Sequence, residues 1–172
     1  DAQTRVVREI LRDQKSLFPM NRLVQGDVGS GKTVVALIAI FNVVKCGYQA
    51  TLMVPTEILA NQHYQEAKKL LEPFGIHIEL LTGSTSAKEK RRIKELITTD
   101  MPMVVIGTHA LIQEDVDFKN LGLVVTDEQH RFGVEQRNRL INKGRRPDVL
   151  VMTATPIPRT LALYVYSDLD IS

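Results

Sequence analysis

Short apolar runs alternate with longer amphipathic stretches along the whole chain, and each kind predicts one type of secondary structure. In the first longer stretch apolar residues recur every three or four positions, as on the buried face of a helix, whereas 32–46 is apolar nearly throughout. These stretches predict helices at 4–18, 32–46, 56–71 and 84–97, with Thr56 as an N-cap and Gly47 closing the second helix. The apolar runs predict buried strands at 22–25, 49–55, 76–83, 103–108, 121–128 and 148–155.

This order of elements predicts the fold class. Strands that alternate with helices favour a single α/β domain over residues 1–172, with a mostly parallel sheet of about seven strands and helices on both faces. In such sheets ligands bind at the carboxyl ends of the strands. Functional residues are therefore expected directly after the apolar runs.

Composition and charge exclude several classes of protein. Hydrophobic residues make up 44% and charged residues 24%, as in ordinary soluble domains. The sequence contains no run of about 18 apolar residues, the length that a membrane-spanning helix needs. The net charge of +2 is too small to attract nucleic acid by itself, so any DNA contact must come from local patches or backbone groups.

The single cysteine, Cys46, excludes an internal disulfide, and we expect it to pack near the helix end. We expect a cytoplasmic location and no membrane partner.

The segment GDVGSGKT fits the phosphate-loop pattern G-x-x-x-x-G-K-[ST] in full, and it stands between a predicted strand and a predicted helix. Backbone N–H groups of such a loop wrap nucleotide phosphates, helped by the positive end of the helix. Lys32 is predicted to reach the β- and γ-phosphates, and the Thr33 hydroxyl to hold Mg²⁺. The alternative, a glycine-rich turn that only caps a helix, explains the glycines but not the full pattern in this context. The predicted phosphate-binding residues are Gly26, Asp27, Val28, Gly29, Ser30, Gly31, Lys32 and Thr33.

Two adjacent acids, Asp127 and Glu128, end a predicted buried strand in the segment DEQH. A buried carboxylate needs a partner, and Mg²⁺ bound to a nucleotide is a suitable one. Asp127 is therefore predicted to bind Mg²⁺ with Thr33, and Glu128 to polarise the attacking water. The alternative is an acid pair at a helix N-terminus, where the helix dipole stabilises it. The phosphate loop favours the catalytic interpretation.

The segments GDVGSGKT, VPTEILANQH, GTHALIQ, DEQH and TATPIPRT, in this order, resemble the motor core of superfamily 2 helicases. The longer segments DEQHRFGVEQR and TATPIPRTLAL resemble in particular the RecG family of ATP-dependent branched-DNA helicases. The resemblance runs from Gln3 to the end of the chain and covers only the first of two RecA-like motor domains. It implies a RecA-like P-loop NTPase domain. We expect a fragment of a longer chain, as the start without Met and the abrupt end also suggest.

The resemblance implies further roles around the nucleotide. His130 would couple the ATP site to the DNA side, and Thr153 and Thr155, in the segment TAT, would belong to a second coupling element. Gln3 would read the adenine. The predicted catalytic set is Lys32, Asp127, Glu128 and His130.

The resemblance also implies a DNA track that holds phosphates, which suits backbone N–H groups at helix N-termini. The predicted track residues are Pro55, Thr56, Gly83, Ser84, Thr108 and His109. Thr56 could instead be a plain N-cap, and His109 an exposed loop histidine. The basic segment KEKRRIK is interpreted as the solvated face of a helix rather than a nucleic-acid site.

The leading hypothesis is the ATP-binding motor domain of a DNA helicase that uses ATP hydrolysis to unwind or remodel branched DNA, such as replication forks and recombination junctions. A transcription-repair coupling translocase acting on double-stranded DNA is the closest alternative, which the segment DEQH disfavours. A phosphate-loop small-molecule kinase explains the loop but not the later segments. A module that binds nucleotide without hydrolysis leaves the acid pair unexplained.

The implied cofactors are ATP and Mg²⁺. The implied partners are DNA, branched or double-stranded, and a second RecA-like domain and a DNA-binding domain of the same parent chain. We expect a monomer. Without the second motor domain, this chain alone is expected to be inactive.

Overall fold

The computed structural model describes residues 2–14, 21–25, 32–127, 132–144, 147–153 and 170–171. Its α-helices are α1 (Ala2–Gln14), α2 (Lys32–Lys45), α3 (Glu57–Leu71), α4 (Ala87–Leu96) and α5 (Phe132–Ile141). Its strands are β1 (Asn21–Gln25), β2 (Gln49–Met53), β3 (Ile78–Leu81), β4 (Val104–Gly107), β5 (Leu121–Asp127), β6 (Asp148–Thr153) and β7 (Asp170–Ile171). Two short 3-10 helices cover Glu72–Phe74 and His109–Ile112.

The strands form one sheet in the order β3-β4-β2-β5-β6-β1-β7, and every described pairing is parallel. The predicted α/β class with a parallel sheet is confirmed, and the described residues contribute seven strands to that sheet. The register shifts once, where Gln49 lies opposite Leu121 but Ala50 lies opposite Leu123. Gly122 is the extra residue, and a Cβ atom there would lie 2.8 Å from the Cβ of Tyr48. Glycine is therefore required for this close approach.

Helices cover both faces of the sheet, as predicted. One hydrophobic core joins α1, α2 and α3 to strand residues that include Leu52 and Val125. A second core joins α4, α5 and the second 3-10 helix to strand residues that include Met53 and Val124. Neighbouring residues of a strand point to opposite faces, so β2, β4 and β5 each supply both cores.

Two predicted helix ends are confirmed. Thr56 has an extended backbone and its hydroxyl accepts a hydrogen bond from the Leu59 N–H at 3.2 Å, which makes it the N-cap of α3. Gly47 has φ of 97°, and its N–H donates to the Val44 carbonyl at 3.0 Å. This left-handed glycine ends the turn that follows α2.

Three local features differ from prediction. The sequence pattern does not predict α5, because the fully buried Arg137 occupies a position where an apolar residue is expected. Helix α4 begins at Ala87 rather than at residue 84, because the Ser86 hydroxyl accepts from the Glu89 N–H at 3.2 Å and caps it there. The prediction that Cys46 packs is wrong, since its side chain is exposed in the turn after α2.

The basic helix α4 is solvated on one face, as predicted, but Arg92 has a specific role. Its guanidinium donates to both carboxylate oxygens of Glu79 on β3, each at 2.7 Å. Burial raises the pKa of the Glu79 carboxyl, but hydrogen bonds and positive charge from Arg92 and His77 outweigh burial and lower the pKa below its ordinary value. Arg92 therefore ties α4 to the sheet.

Among the described residues, no helix is long and apolar enough to cross a membrane.

Candidate functional site at the carboxyl edge of the sheet

Most of the predicted site residues that the structure describes lie at the carboxyl ends of strands or just after them, on the connections that lead to the next helix. The order of the strands divides this edge into two adjoining halves. The nucleotide half follows β5, β6 and β1 and comprises Asp127, Thr153, Lys32 and Thr33. The track half follows β3, β4 and β2 and comprises Gly83, Ser84, Thr108, His109, Pro55 and Thr56. The topology thus brings together the residues of each predicted group.

The nucleotide half is built on neighbouring strands. Asp127 pairs with Met152 of β6, and Thr153 pairs with Gln25 at the end of β1. Helix α2 begins at Lys32, and Thr33 is half-buried in its first turn. Parallel pairing at these ends places the strand that carries Asp127 close to the strand that leads into the phosphate-loop segment.

Several predicted residues cannot be placed on this edge. The phosphate-loop residues 26–31 and the residues Glu128, His130 and Thr155 lie outside the described part of the chain. Gln3 is described, and it is exposed on α1, whose residues Val6 and Ile10 pack in the same core as α2. Its predicted contact with adenine stays a prediction.

Asp127 is buried, with 7% of its surface exposed. In the described part of the chain, no three His, Cys, Asp or Glu residues come together to hold a metal ion. A nucleotide-bound Mg²⁺ does not require such a cage, since it takes one or two carboxylates and completes its shell with phosphate oxygens and water. A single buried carboxylate at this strand end therefore fits the predicted Mg²⁺ role.

His63 is a residue of the site that sequence reasoning missed. It is buried on α3, and its Nε2 atom lies 3.6 Å from Oδ2 of Asp127. The signal in the sequence was its position: Ala60, Ala67 and Leu71 share the buried face of α3 with His63. A histidine within an otherwise apolar helix face indicates a polar neighbour across the interface.

In the track half, Glu57 joins two loops. Its carboxylate accepts from the Ser84 N–H at 3.0 Å and from the Ser84 hydroxyl at 2.7 Å. Thr56, next to it, is exposed. The donors that were predicted to hold a DNA phosphate at Ser84 are therefore bonded to a protein carboxylate in this structure.

Thr108 and His109 differ in exposure. Thr108 is buried, and its N–H donates to the Leu81 carbonyl at 3.3 Å, whereas His109 is exposed. The side-chain amide nitrogen of Gln136, on α5, lies 2.8 Å from Nε2 of His109. An amide nitrogen can only donate, so Nε2 of His109 is the acceptor. This contact joins the track half to the helix that follows the DEQH segment.

This chain is similar in sequence to known helicases. The profile of the DEAD/DEAH box helicases matches residues 1–163. The ATP-dependent DNA helicase RecG of Bacillus subtilis (strain 168) is 55% identical over 172 residues, which is 100% of this chain and 25% of that protein. The RecG of Thermotoga maritima is 58% identical over 172 residues, or 22% of its length. The predicted resemblance to RecG helicases is confirmed.

A solved structure is similar as well. The structure of RecG bound to a three-way DNA junction superposes with a TM-score of 0.86 at 56% identity, covering 99% of this chain and 23% of that one. The chain thus spans about a quarter of the length of the relatives it matches.

Proposed function

The chain belongs to the DEAD/DEAH box helicase family, and on that premise we propose that it is the ATP-binding motor domain of a RecG-like DNA helicase. In this proposal the domain hydrolyses ATP to drive unwinding or remodelling of branched DNA, such as replication forks and recombination junctions. The identity to RecG helicases supports this type of enzyme over the double-stranded DNA translocase. Membership of a helicase family argues against the small-molecule kinase.

The observation that carries the proposal is the division of one sheet edge into two halves. Asp127 ends β5, and β2, whose next residues lead to Thr56, is its neighbour in the sheet. A nucleotide bound at one half would therefore lie beside a nucleic acid bound at the other. An enzyme needs such adjacent sites if ATP hydrolysis is to change its affinity for DNA.

The chemistry follows from the residues of the nucleotide half. The loop 26–31 would hold the phosphates through backbone N–H groups, and Lys32 would stabilise the charge that develops on the γ-phosphate. Thr33 and Asp127 would hold Mg²⁺, which supplies neutralisation of phosphate charge when bound. Glu128 would orient the attacking water and accept its proton.

The remaining predicted residues complete the proposal. His130, Thr153 and Thr155 would couple the two halves, and Gln3 would contact the adenine. The track residues would hold phosphates along a DNA strand, with Thr56 at the N-terminus of α3. We propose that a second RecA-like domain and a DNA-binding domain of a monomeric, cytoplasmic parent chain close the site and select the branch, since the relatives are about four times longer.

Analysis of the reaction products tests the proposal. The full-length parent protein is incubated with labelled ATP and Mg²⁺, with and without a three-way DNA junction. The expected result is release of inorganic phosphate at a rate that the junction increases several-fold. Transfer of the phosphate to a small molecule, or hydrolysis that no DNA stimulates, would overturn the proposal.

A further inference from the structure

His63 is a buried polar residue that needs an explanation. It is 7% exposed and lies among Ala60, Ala67 and Leu71 on the buried face of α3. Neither ring nitrogen has a hydrogen-bond partner among the described residues. Buried polar atoms almost always have hydrogen-bond partners, so an imidazole in this position indicates a polar group nearby that it could bind.

Asp127 is the group that His63 faces. Residues Leu123 and Val125 of β5 contact the core that contains α3. Alternate residues of a strand share a face, so the Asp127 side chain is directed to the same side. The Nε2–Oδ2 distance of 3.6 Å is too long for a hydrogen bond, but a movement of roughly 0.7 Å would make one of ordinary length.

We propose that His63 is a positioning residue for Asp127. The imidazole donates its Nε2 hydrogen to Oδ2 and so fixes the rotation of the carboxylate. The inference rests on the proposed function, in which Asp127 binds Mg²⁺ with the nucleotide. Carboxylates that bind metals are commonly held by such a hydrogen bond from a neighbouring residue, and its loss weakens metal binding about 10- to 100-fold.

The arrangement also explains why a histidine stands on this face of the helix. An apolar side chain would fill the space but could not orient a carboxylate. A lysine or arginine would place a permanent positive charge beside the site proposed for a cation. An imidazole provides a donor on a rigid ring without a permanent charge.

Metal affinity is the direct measurement. Mn²⁺, as a paramagnetic substitute for Mg²⁺, is titrated by electron paramagnetic resonance into the full-length protein with a non-hydrolysable ATP analogue. His63→Phe, which keeps a ring but removes the donor, is expected to weaken Mn²⁺ binding about 10- to 100-fold. Leu71→Val, on the same face of α3, controls for altered helix packing and should bind Mn²⁺ normally. Wild-type Mn²⁺ affinity in His63→Phe would overturn the inference.

A second pair of variants tests the donor itself, and it serves if His63→Phe does not fold. His63→Gln places an amide nitrogen near the position of Nε2, whereas His63→Asn places one near Nδ1. The glutamine variant should therefore bind Mn²⁺ about tenfold more tightly than the asparagine variant. Equal affinities of the two variants would contradict a role for Nε2.

Asp127→Asn separates this inference from the proposed function. If Asp127→Asn binds Mn²⁺ as wild type does, the metal role of Asp127 is wrong. If Asp127→Asn loses Mn²⁺ while His63→Phe retains it, only the positioning role of His63 is wrong.

Discussion

Glu57 and Ser84, 27 residues apart in the chain, are joined by two hydrogen bonds to one carboxylate. Glu57 opens α3 after β2, and Ser84 lies in the loop after β3. The bonds fix the relative position of two loops in the track half, and they also place a negative charge where DNA phosphates are proposed to bind.

Glu57→Gln should therefore strengthen DNA binding. The amide oxygen can still accept from the Ser84 N–H, so the loops stay joined, but the repulsion of phosphates is lost. We expect about two- to fivefold tighter binding at low salt and little difference at high salt, because salt screens exposed charges. Fluorescence anisotropy with a labelled three-way junction at two salt concentrations measures this. Weaker binding at low salt would show that the charge is needed to hold the loops.

Gln136→Ala should weaken the link between DNA binding and hydrolysis. The variant removes the donor to His109 while leaving the nucleotide half untouched. We expect the DNA-stimulated ATPase rate to fall roughly fivefold, a coupling loss of about 1 kcal/mol, with the rate without DNA unchanged. Asn138→Ala, an exposed neighbour on α5, is the control. Equal stimulation in both variants would argue against this link.

The fold and the residue groups of the site could be predicted because their signals are local. Apolar runs identify strands, and glycine, threonine and carboxylate residues mark strand ends. The contacts His63–Asp127, Glu57–Ser84 and Gln136–His109 could not, because each joins side chains from separate elements. Only the packing of α3 and α5 on the sheet brings these side chains within reach.

Helix α5 shows another limit of sequence patterns. Arg137 is fully buried there, at a position where an apolar residue is expected, and α5 lacks the long apolar run that identifies α2. The role of Arg92 was missed for a related reason. Its sequence context is a basic, solvated helix, and only the structure places Glu79 opposite its guanidinium.

Glu79→Gln should destabilise the domain in a pH-dependent way. The carboxylate is 9% exposed and its partner Arg92 is 45% exposed, so we expect a loss of about 1–2 kcal/mol at pH 7. The pKa of Glu79 is lowered below 4.5 on folding, so its ionised form stabilises the fold above pH 4.5. This contribution is lost as the pH falls through the lowered pKa.

Urea unfolding of the 172-residue chain, followed by circular dichroism, measures the difference. The difference in the free energy of unfolding between wild type and Glu79→Gln should become smaller as the pH is lowered below 4.5. Glu66 is an exposed acid on α3, and the free energy of unfolding of Glu66→Gln should match that of wild type both at pH 7 and below pH 4.5. A gap that is constant with pH would exclude ionisation of Glu79 as its cause.

The 172-residue chain alone should fold but hydrolyse ATP at least about 1,000-fold more slowly than the full-length protein. The resemblance to helicases implies a second RecA-like domain that closes over the nucleotide and supplies arginine side chains to the γ-phosphate. Steady-state phosphate release by equal concentrations of both proteins, with saturating junction DNA, checks this. Robust DNA-stimulated turnover by the short chain would mean that it carries a complete catalytic set or completes one by dimerising.

The most direct test of a DNA-stimulated ATPase motor is the turnover of Lys32→Ala in the full-length protein. ATP hydrolysis is measured at saturating ATP and junction DNA, and DNA binding is measured on the same preparation. We expect kcat to fall at least about 100-fold, since a major stabiliser of charge on the γ-phosphate is lost, while the affinity for DNA is retained. Near-normal turnover at saturating ATP would contradict the assignment of the segment GDVGSGKT as the phosphate loop and, with it, the motor function.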